Sequence, residues 1–339
     1  MKTEKLFLEA DREKTVKYAA ELLKDGKIVA VPTETVYGLA ASAKNAEAIK
    51  AVFTAKGRPQ DNPLIVHIDS IDMLEKVAKD IPKKAYICAE KFWPGPFTMV
   101  LESSGYVCKE VSAGLDTVAV RMPKDKAIRD IISEANIPLA APSANVSGSP
   151  SPVTAEHVIS DLDGKIDAVI MGDRCSVGVE STVVSITEKS ARLLRPGAVT
   201  VEMLREIFPD IVIDKAILEE CEKGEKVASP GMKYKHYSPV AELYLVEGDS
   251  EKYCDFVNAK NDGAAVCFTE DKPFIKVKSF TFGNMENEQS MAYEVFEVLR
   301  RLDSDNIKKA YVHAPSKSGV GLAVYNRLIR ACAHRVISL

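Results

Sequence analysis

Two polar stretches in the first half of the chain hold residue types suited to phosphate. In KGRPQDNPL, Lys56 and Arg58 come directly after a helical run. A helix end favours cations whatever the function, which accounts for Lys56 better than for Arg58. Arg58 and Asn62 each precede a proline, so a guanidinium and an amide stand on a stiffened backbone, a display that suits a triphosphate as well as a plain surface loop. In APSANVSGSPSP, prolines and a glycine rigidify a loop carrying Ser143, Asn145, Ser147, Ser149 and Ser151. Their hydroxyls and neighbouring N–H groups can converge on an anion or a nucleobase, although turn chemistry alone would ask for about half of them.

Other polar residues stand at strand ends. His67 lies inside the strand-like PLIVHI, where a hydrogen-bonded core histidine is the ordinary outcome. Ser181 and Thr182 begin the β-branched run of GVESTVVSI. Arg121 in TVAVRMP and Arg195 in LLRPG close two more runs; such arginines are usually solvated, yet beside Lys56 and Arg58 they would put four cations in one site. No GxxxxGK(S/T) loop, HExxH, GxSxG or Cys/His cluster occurs, so phosphate binding must use another design. GVGLAVYNRL is half of a dinucleotide fingerprint, but its third glycine is missing and no acidic residue follows at ribose-binding distance, which favours a tight strand-to-helix turn.

The elements that must position these groups alternate between helix and strand. A helix around residues 12 to 24 ends at Gly26, and KIVAVPT reads as a buried strand. TVYGLAASA reads as loop, and Asn45 as the cap of the helix AEAIKAVFTA. Strand-like runs follow at PLIVHI, FTMVLES, TVAVRMP, PLAAPS, IDAVIMG, STVVSIT and ARLLRP, between helices near 71 to 92, 125 to 135 and 154 to 161, the pattern of an α/β unit with a mixed sheet. A charged, turn-rich segment ending in SPGMKYKHYSP then precedes a second alternation of strands and helices. The expected organisation is a domain over 1–208, a linker over 209–239 and a smaller α/β domain over 240–339.

At 339 residues the chain exceeds the size of most single cores, and 46% hydrophobic with 28% charged residues is ordinary for a globular protein. A net charge of −4 argues against attachment to nucleic acid or an anionic membrane through a basic surface. Seven scattered cysteines (Cys88, Cys108, Cys175, Cys221, Cys254, Cys267, Cys332) show no CxxC spacing and read as reduced, buried thiols. Without an apolar leader or an 18-residue apolar run, a cytoplasmic protein is expected.

Taken together, PTETVYGLAASA, KGRPQDNPLIVHI, FWPGPFTMVL, VAVRMP, PLAAPSANVSG, GVESTVV and LLRPG resemble the YrdC-like family of threonylcarbamoyl-AMP synthases, over about residues 12 to 207. The family's KxR and distal SxN correspond to Lys56, Arg58, Ser143 and Asn145. SPGMKYKHYSP and GVGLAVYNRL resemble the longer form of the enzyme. The resemblance implies a YrdC-like mixed-sheet α/β domain followed by a smaller Rossmann-like α/β domain. It implies synthesis of L-threonylcarbamoyladenylate from L-threonine, bicarbonate and ATP with release of pyrophosphate, the first step of tRNA threonylcarbamoyladenosine modification. Lys56, Arg58, Ser143 and Asn145 are then catalytic. Thr35, His67, Arg121, Ala141 (through its backbone) and Ser181 are similar to threonine-binding positions. Arg58, Asn62, Thr117, Ser143, Ser151 and Arg195 are similar to ATP positions, and Tyr234 and His236 of the linker are expected to close over the nucleotide. The implied cofactor is the magnesium carried by ATP, with no dedicated protein site. The implied partner is a downstream threonylcarbamoyl transferase that modifies tRNA; neither a membrane nor stable direct tRNA binding is expected.

That chemistry suits these residue types. Threonine's amine must add to bicarbonate to give a carbamate that bulk water would destroy, so shelter is needed. The carbamate oxygen attacks the α-phosphorus of ATP, and the charge that grows as pyrophosphate leaves calls for cations, with Lys56 and Arg58 both expected to reach water or ligand. The rival class is an RNA-binding module with a vestigial pocket, which would show salt-dependent RNA affinity without threonine-dependent ATP turnover. A related carbamoyl-transfer enzyme with another acceptor would carry cysteine-rich or acylphosphatase-like segments, absent here.

Overall fold

The computed structural model describes residues 2–219 and 237–339. Strands of the first part form one mixed sheet. In chain order they are β1 (Glu4–Phe7), β2 (Val29–Val31), β3 (Gly38–Ser42), β4 (Ile65–His67), β5 (Phe97–Glu102) and β6 (Thr117–Arg121). Then come β7 (Leu139–Ala140), β8 (Ala168–Met171), β9 (Thr182–Ile186), β10 (Ala191–Arg195) and β11 (Val212–Ile213). Across the sheet the order is β1-β8-β2-β3-β7-β4-β6-β5-β9-β10-β11. β4 runs parallel to β6 with His67 opposite Arg121, so register alone sets an imidazole beside a guanidinium at two strand ends.

A second sheet, wholly parallel, holds β12 (Glu242–Glu247), β13 (Ala264–Cys267), β14 (Ser279–Thr281), β15 (Lys309–His313) and β16 (Val336–Ser338) in the order β14-β13-β15-β12-β16. The mixed α/β architecture with a smaller parallel α/β unit is the expected one. Two details differ. The stretch expected as a loop, TVYGLAASA, contains β3, whose Gly, Ala and Ser residues have weak strand propensity but are wholly buried between β2 and β7. The helical stretch near 71 to 92 is two helices, Ile71–Val77 and Lys83–Phe92, because Pro82 cannot continue the first and opens the second.

The helix Ala46–Lys56 shows how local sequence sets the site. The Asn45 side chain accepts from the N–H groups of Glu47 and Ala48, and Gly57 ends the helix in the left-handed region at φ +60°, where a side chain would be strained. Between these caps Ile49, Val52, Phe53 and Lys56 recur at helical spacing and all are buried. Lys56 therefore occupies the last place on an apolar stripe.

The two sheet units share a core. One apolar cluster includes Val179, Leu204 and Phe208 from the first and Phe296, Leu299, Leu322 and Leu328 from the second. Gly178, at φ +86°, lies so close to the helix Glu288–Ser304 that a Cβ would stand 2.3 Å from the Ala292 carbonyl oxygen. Ion pairs cross the same boundary: Arg300 to Asp161 at 2.9 Å and Arg174 to Glu294 at 3.2 Å. The half-fingerprint opens the helix Gly321–Ala331. The Glu288 carboxylate sits in that turn, accepting from the Val320 N–H at 2.7 Å and the Ser316 hydroxyl at 3.2 Å. An acidic side chain of the protein thus fills the place a phosphate would take. Among the described residues no helix is long and apolar enough to cross a membrane.

Candidate active site

A cleft opens where the ends of β3, β4, β6, β7 and β10 meet the serine-rich loop. It holds about 750 Å³ of empty space, solvent at its mouth included. Thr35, Lys56, Arg58, His67, Arg121, Ala141, Ser143, Asn145, Ser151, Ser181 and Arg195 all line it. The fold thus gathers nearly all of the expected residues from segments up to 160 positions apart, since Thr35 and Arg195 line the same cleft. Asn62 and Thr117 are not on that lining. Asn62 is buried beside it, and its Nδ2 finds no protein partner among the described residues, an arrangement that suits a ligand acceptor. Thr117 begins β6, whose other end is Arg121, roughly 13 Å away by strand rise. Tyr234 and His236 lie outside the described residues.

On one side of the cleft, Arg121 is fixed on every edge. Its Nε donates to the Gly95 carbonyl at 3.2 Å, its Nη1 to the Thr35 hydroxyl at 2.9 Å, and its Nη2 stands 2.8 Å from the Glu34 carboxylate. Burial opposes ionisation of Glu34, but Arg121 outweighs it and holds the carboxyl below its usual range. Thr35 also shares a hydrogen bond with Thr33 at 2.8 Å. Burial, with Arg121 nearby, pushes His67 down to about 3, so the ring is neutral at pH 7. Its Nδ1 lies 3.2 Å from the Ile65 carbonyl oxygen, which can only accept, so Nδ1 carries the proton and Nε2 is left as an acceptor.

On the other side, Arg195 donates through Nε to the Ser181 carbonyl at 3.1 Å and through Nη2 to its hydroxyl at 3.2 Å. Burial pushes Arg195 down to about 10, still protonated at neutral pH. The Ser181 hydroxyl also pairs with that of Thr98 at 2.7 Å. Ser151 donates to Glu180 at 2.5 Å. Burial disfavours charge on Glu180, but Arg327 and Arg195, together with the Ser151 hydrogen bond, hold its carboxyl below the usual range. Tyr237 completes this wall, its ring 5.2 Å from that of Phe296. Among the described residues the lining carries Arg58, Arg121 and Arg195 against the one carboxylate of Glu180, which keeps a positive surplus for an anion.

Lys56 departs from the expectation that it reaches water. It is 1% exposed, and its Nζ donates to the carbonyls of Ser143 and Asn145, the latter at 2.6 Å, with Asn145 Oδ1 at 3.4 Å. Burial, with Arg58 close by, lowers its pKa well below the ordinary lysine value. The side chain is a strut under the serine-rich loop, because its helix position points it into the core. That loop is further fixed by Ser143 donating to Asn145 Oδ1 at 2.6 Å and by Asn145 Nδ2 donating to the Ser149 carbonyl at 2.8 Å. Arg58 is half-buried at the rim, where its Nη2 reaches the Pro63 carbonyl only at 3.3 Å.

Sequence reasoning passed over Glu34, Glu180, Tyr237 and Arg327. Each had a signal: Glu34 and Glu180 directly precede the hydroxyl residues Thr35 and Ser181, and Arg327 interrupts an apolar helical run. Tyr237 stands in the same linker motif as the two residues chosen there.

Beyond this geometry, a mixed sheet with a cation-rich cleft at its strand ends defines a nucleotide-handling α/β enzyme. A family model described as telomere recombination (Sua5_yciO_yrdC) matches residues 21–197, and one for the threonylcarbamoyl-AMP synthase C-terminal domain matches 199–333. The chain belongs to the threonylcarbamoyl-AMP synthase family. It is 41% identical to the threonylcarbamoyl-AMP synthase of Pyrococcus abyssi, with 96% of each chain covered. It is 40% identical to that of Bacillus subtilis over 99% of this chain and 100% of the relative. The crystal structure of P. abyssi Sua5 complexed with L-threonine superposes with a TM-score of 0.91 at 38% identity, covering 100% of both chains. A P. abyssi Sua5 variant with a histidine and the following tyrosine both replaced by alanine gives 0.92 at 38% identity, over 99% of this chain and 98% of that one.

Proposed function

We propose that the cleft performs the family's synthesis of threonylcarbamoyl-AMP with a division of labour between its two walls. The reading rests on one observation above the others: Arg121, locked by Glu34 and Gly95, turns its Nη1 to the Thr35 hydroxyl beside a neutral His67. That wall suits a small zwitterion. Arg121 takes the L-threonine carboxylate, while the neutral His67 Nε2, the Thr35 hydroxyl and the Ala141 backbone, with the Ser181 hydroxyl reaching in from the Arg195 side, take its ammonium and hydroxyl groups. ATP lies along the opposite wall against Arg58, Asn62, Ser143, Ser151 and Arg195, with Thr117 near its far end.

The deprotonated amine adds to bicarbonate, water leaves, and one carbamate oxygen attacks the α-phosphorus as the bond to the β-phosphate oxygen breaks. Arg58 stabilises the charge that grows on the phosphoryl oxygens, and Ser143 and Asn145 hold the loop at that point. Magnesium enters as part of the ATP substrate; Glu180, the carboxylate on the lining, is already engaged by Arg327. Residues 1–208 serve as the catalytic unit, 209–239 as a closing lid, with Tyr234 and His236 the lid's side chains, and 240–339 as the unit that holds it. We further propose a cytoplasmic enzyme that passes its product to a threonylcarbamoyl transferase acting on tRNA. Pyrophosphate release from ATP, assayed with and without L-threonine and bicarbonate, tests the reading. Dependence on both is expected; turnover indifferent to either, or release of ADP, overturns it.

A further inference from the structure

A guanidinium from the second sheet unit stands behind the Ser151–Arg195 side of the cleft. Arg327, on the helix Gly321–Ala331, is fully buried, and its Nε donates to Glu180 Oε2 at 2.9 Å. Its Nη1 donates to the Pro196 carbonyl at 2.9 Å, next in sequence to Arg195, and its Nη2 to the Glu180 carbonyl at 3.4 Å. One planar guanidinium therefore ties the backbone just before Ser181 to the backbone just after Arg195. The other Glu180 oxygen, Oε1, accepts the hydroxyl proton of Ser151.

A serine hydroxyl has one proton to give. Because Glu180 is ionised and takes that proton, the Ser151 oxygen offers only lone pairs to whatever occupies the cleft. Lone pairs repel an unprotonated phosphate oxygen and welcome an O–H or N–H. We propose that Arg327 is a positioning residue of the nucleotide pocket, orienting Ser151 through Glu180 so that this part of the wall accepts a hydrogen bond from the nucleoside, at a ribose hydroxyl or the adenine amine, rather than donating one to phosphate. The inference rests on the proposed placing of ATP against Ser151 and Arg195. It also gives the second sheet unit a part in substrate selection besides holding the lid. Two more contacts reach the Ser151 loop, one from the same unit and one from the end of the linker: Arg300 Nη2 donates to the Pro150 carbonyl at 2.6 Å, and the Ser238 N–H donates to the Gly148 carbonyl at 2.9 Å.

Competition binding with AMP and with inorganic pyrophosphate separates the nucleoside end from the phosphate end, and L-threonine binding serves as the control. In the full chain, Arg327→Gln and Ser151→Ala are each expected to weaken AMP at least fivefold while changing pyrophosphate and threonine less than twofold. Arg327→Gln added to Ser151→Ala is expected to weaken AMP little further, since both act on one hydrogen bond. Arg327→Lys, which keeps charge and bulk, replaces Arg327→Gln where that variant does not fold, and is expected to weaken AMP by a smaller factor. The inference is overturned if a folded Arg327 variant binds AMP as the wild type does. Equal weakening of AMP, pyrophosphate and threonine, the mark of general disruption, also overturns it, as does a Ser151→Ala effect on pyrophosphate alone. A wild-type chain without threonine-dependent ATP turnover would instead remove the reading on which the inference rests.

Discussion

Replacing Lys56 by methionine separates a strut from a phosphate ligand. Methionine keeps an unbranched chain of similar length and removes only the ammonium. In the folded protein the carbonyls of Ser143 and Asn145 would then lose their donor in a site where Lys56 is 1% exposed. Two buried acceptors left unsatisfied cost about 1–3 kcal/mol each, a gross loss of about 2–6 kcal/mol. Relief from burying an ammonium offsets part of it, which leaves a net loss of about 2–4 kcal/mol. The measurement is urea unfolding of wild type and Lys56→Met without any ligand, with threonine-dependent pyrophosphate release recorded alongside. The strut predicts a large stability loss in the ligand-free protein and reduced turnover as the Ser143–Asn145 loop loosens. Wild-type stability without ligand, coupled with lost turnover, would refute the reasoning and return Lys56 to the role of a phosphate contact.

Arg58→Ala should behave in the opposite way, costing turnover about 10²–10³-fold while the unfolding free energy stays within about 0.5 kcal/mol; a stability loss as large as that of Lys56→Met would contradict it. His67 has its folded value pushed to about 3 against an ordinary value near 6.5, so between these pH values the unfolded chain binds a proton that the folded one refuses. Stability is therefore full above pH 6.5 and falls as pH drops towards 3, by about 1.4 kcal/mol per pH unit from this residue near pH 5. His157, pushed to about 4 by burial and by Arg300, acts in the same direction. Unfolding of wild type and His67→Asn at pH 7, 6 and 5 checks the slope, and parallel curves would remove His67 as its source. Cutting the chain near residue 210 removes Arg327 from Glu180 and Arg300 from Asp161. An orphaned buried partner costs about 3–5 kcal/mol, so the truncated chain should be unstable as well as inactive, and a truncation as stable as the full chain would show that the shared core matters little.

The alternation of strands and helices was legible because buried runs and caps such as Asn45 are local signals. β3 was not, because small residues carry little strand preference and their burial is decided by β2 and β7 on either side. At the site, residue types were legible and their roles were less so. Reading Lys56 as a displayed cation followed from its place just before Gly57; counting back to Phe53, Val52 and Ile49 would have put it on the buried stripe. The convergence of Thr35, Arg121 and Ser181 depends on sheet order, which no single segment encodes. Glu180 was passed over for the same reason: its partner Arg327 lies 147 residues further on.

That separation has a consequence during synthesis. A ribosome adding about 5–20 residues per second needs roughly 7–30 s to travel from Glu180 to Arg327. Throughout that interval the emerging first sheet holds the Glu180 carboxylate without Arg327, its ion-pair partner, and an apolar face, around Val179 and Phe208, that the later helices will cover. The contacts that Arg327 makes behind Ser151 and Arg195 are thus the last of the cleft to set, and a half-made chain is expected to hold a nucleoside more weakly than the finished one.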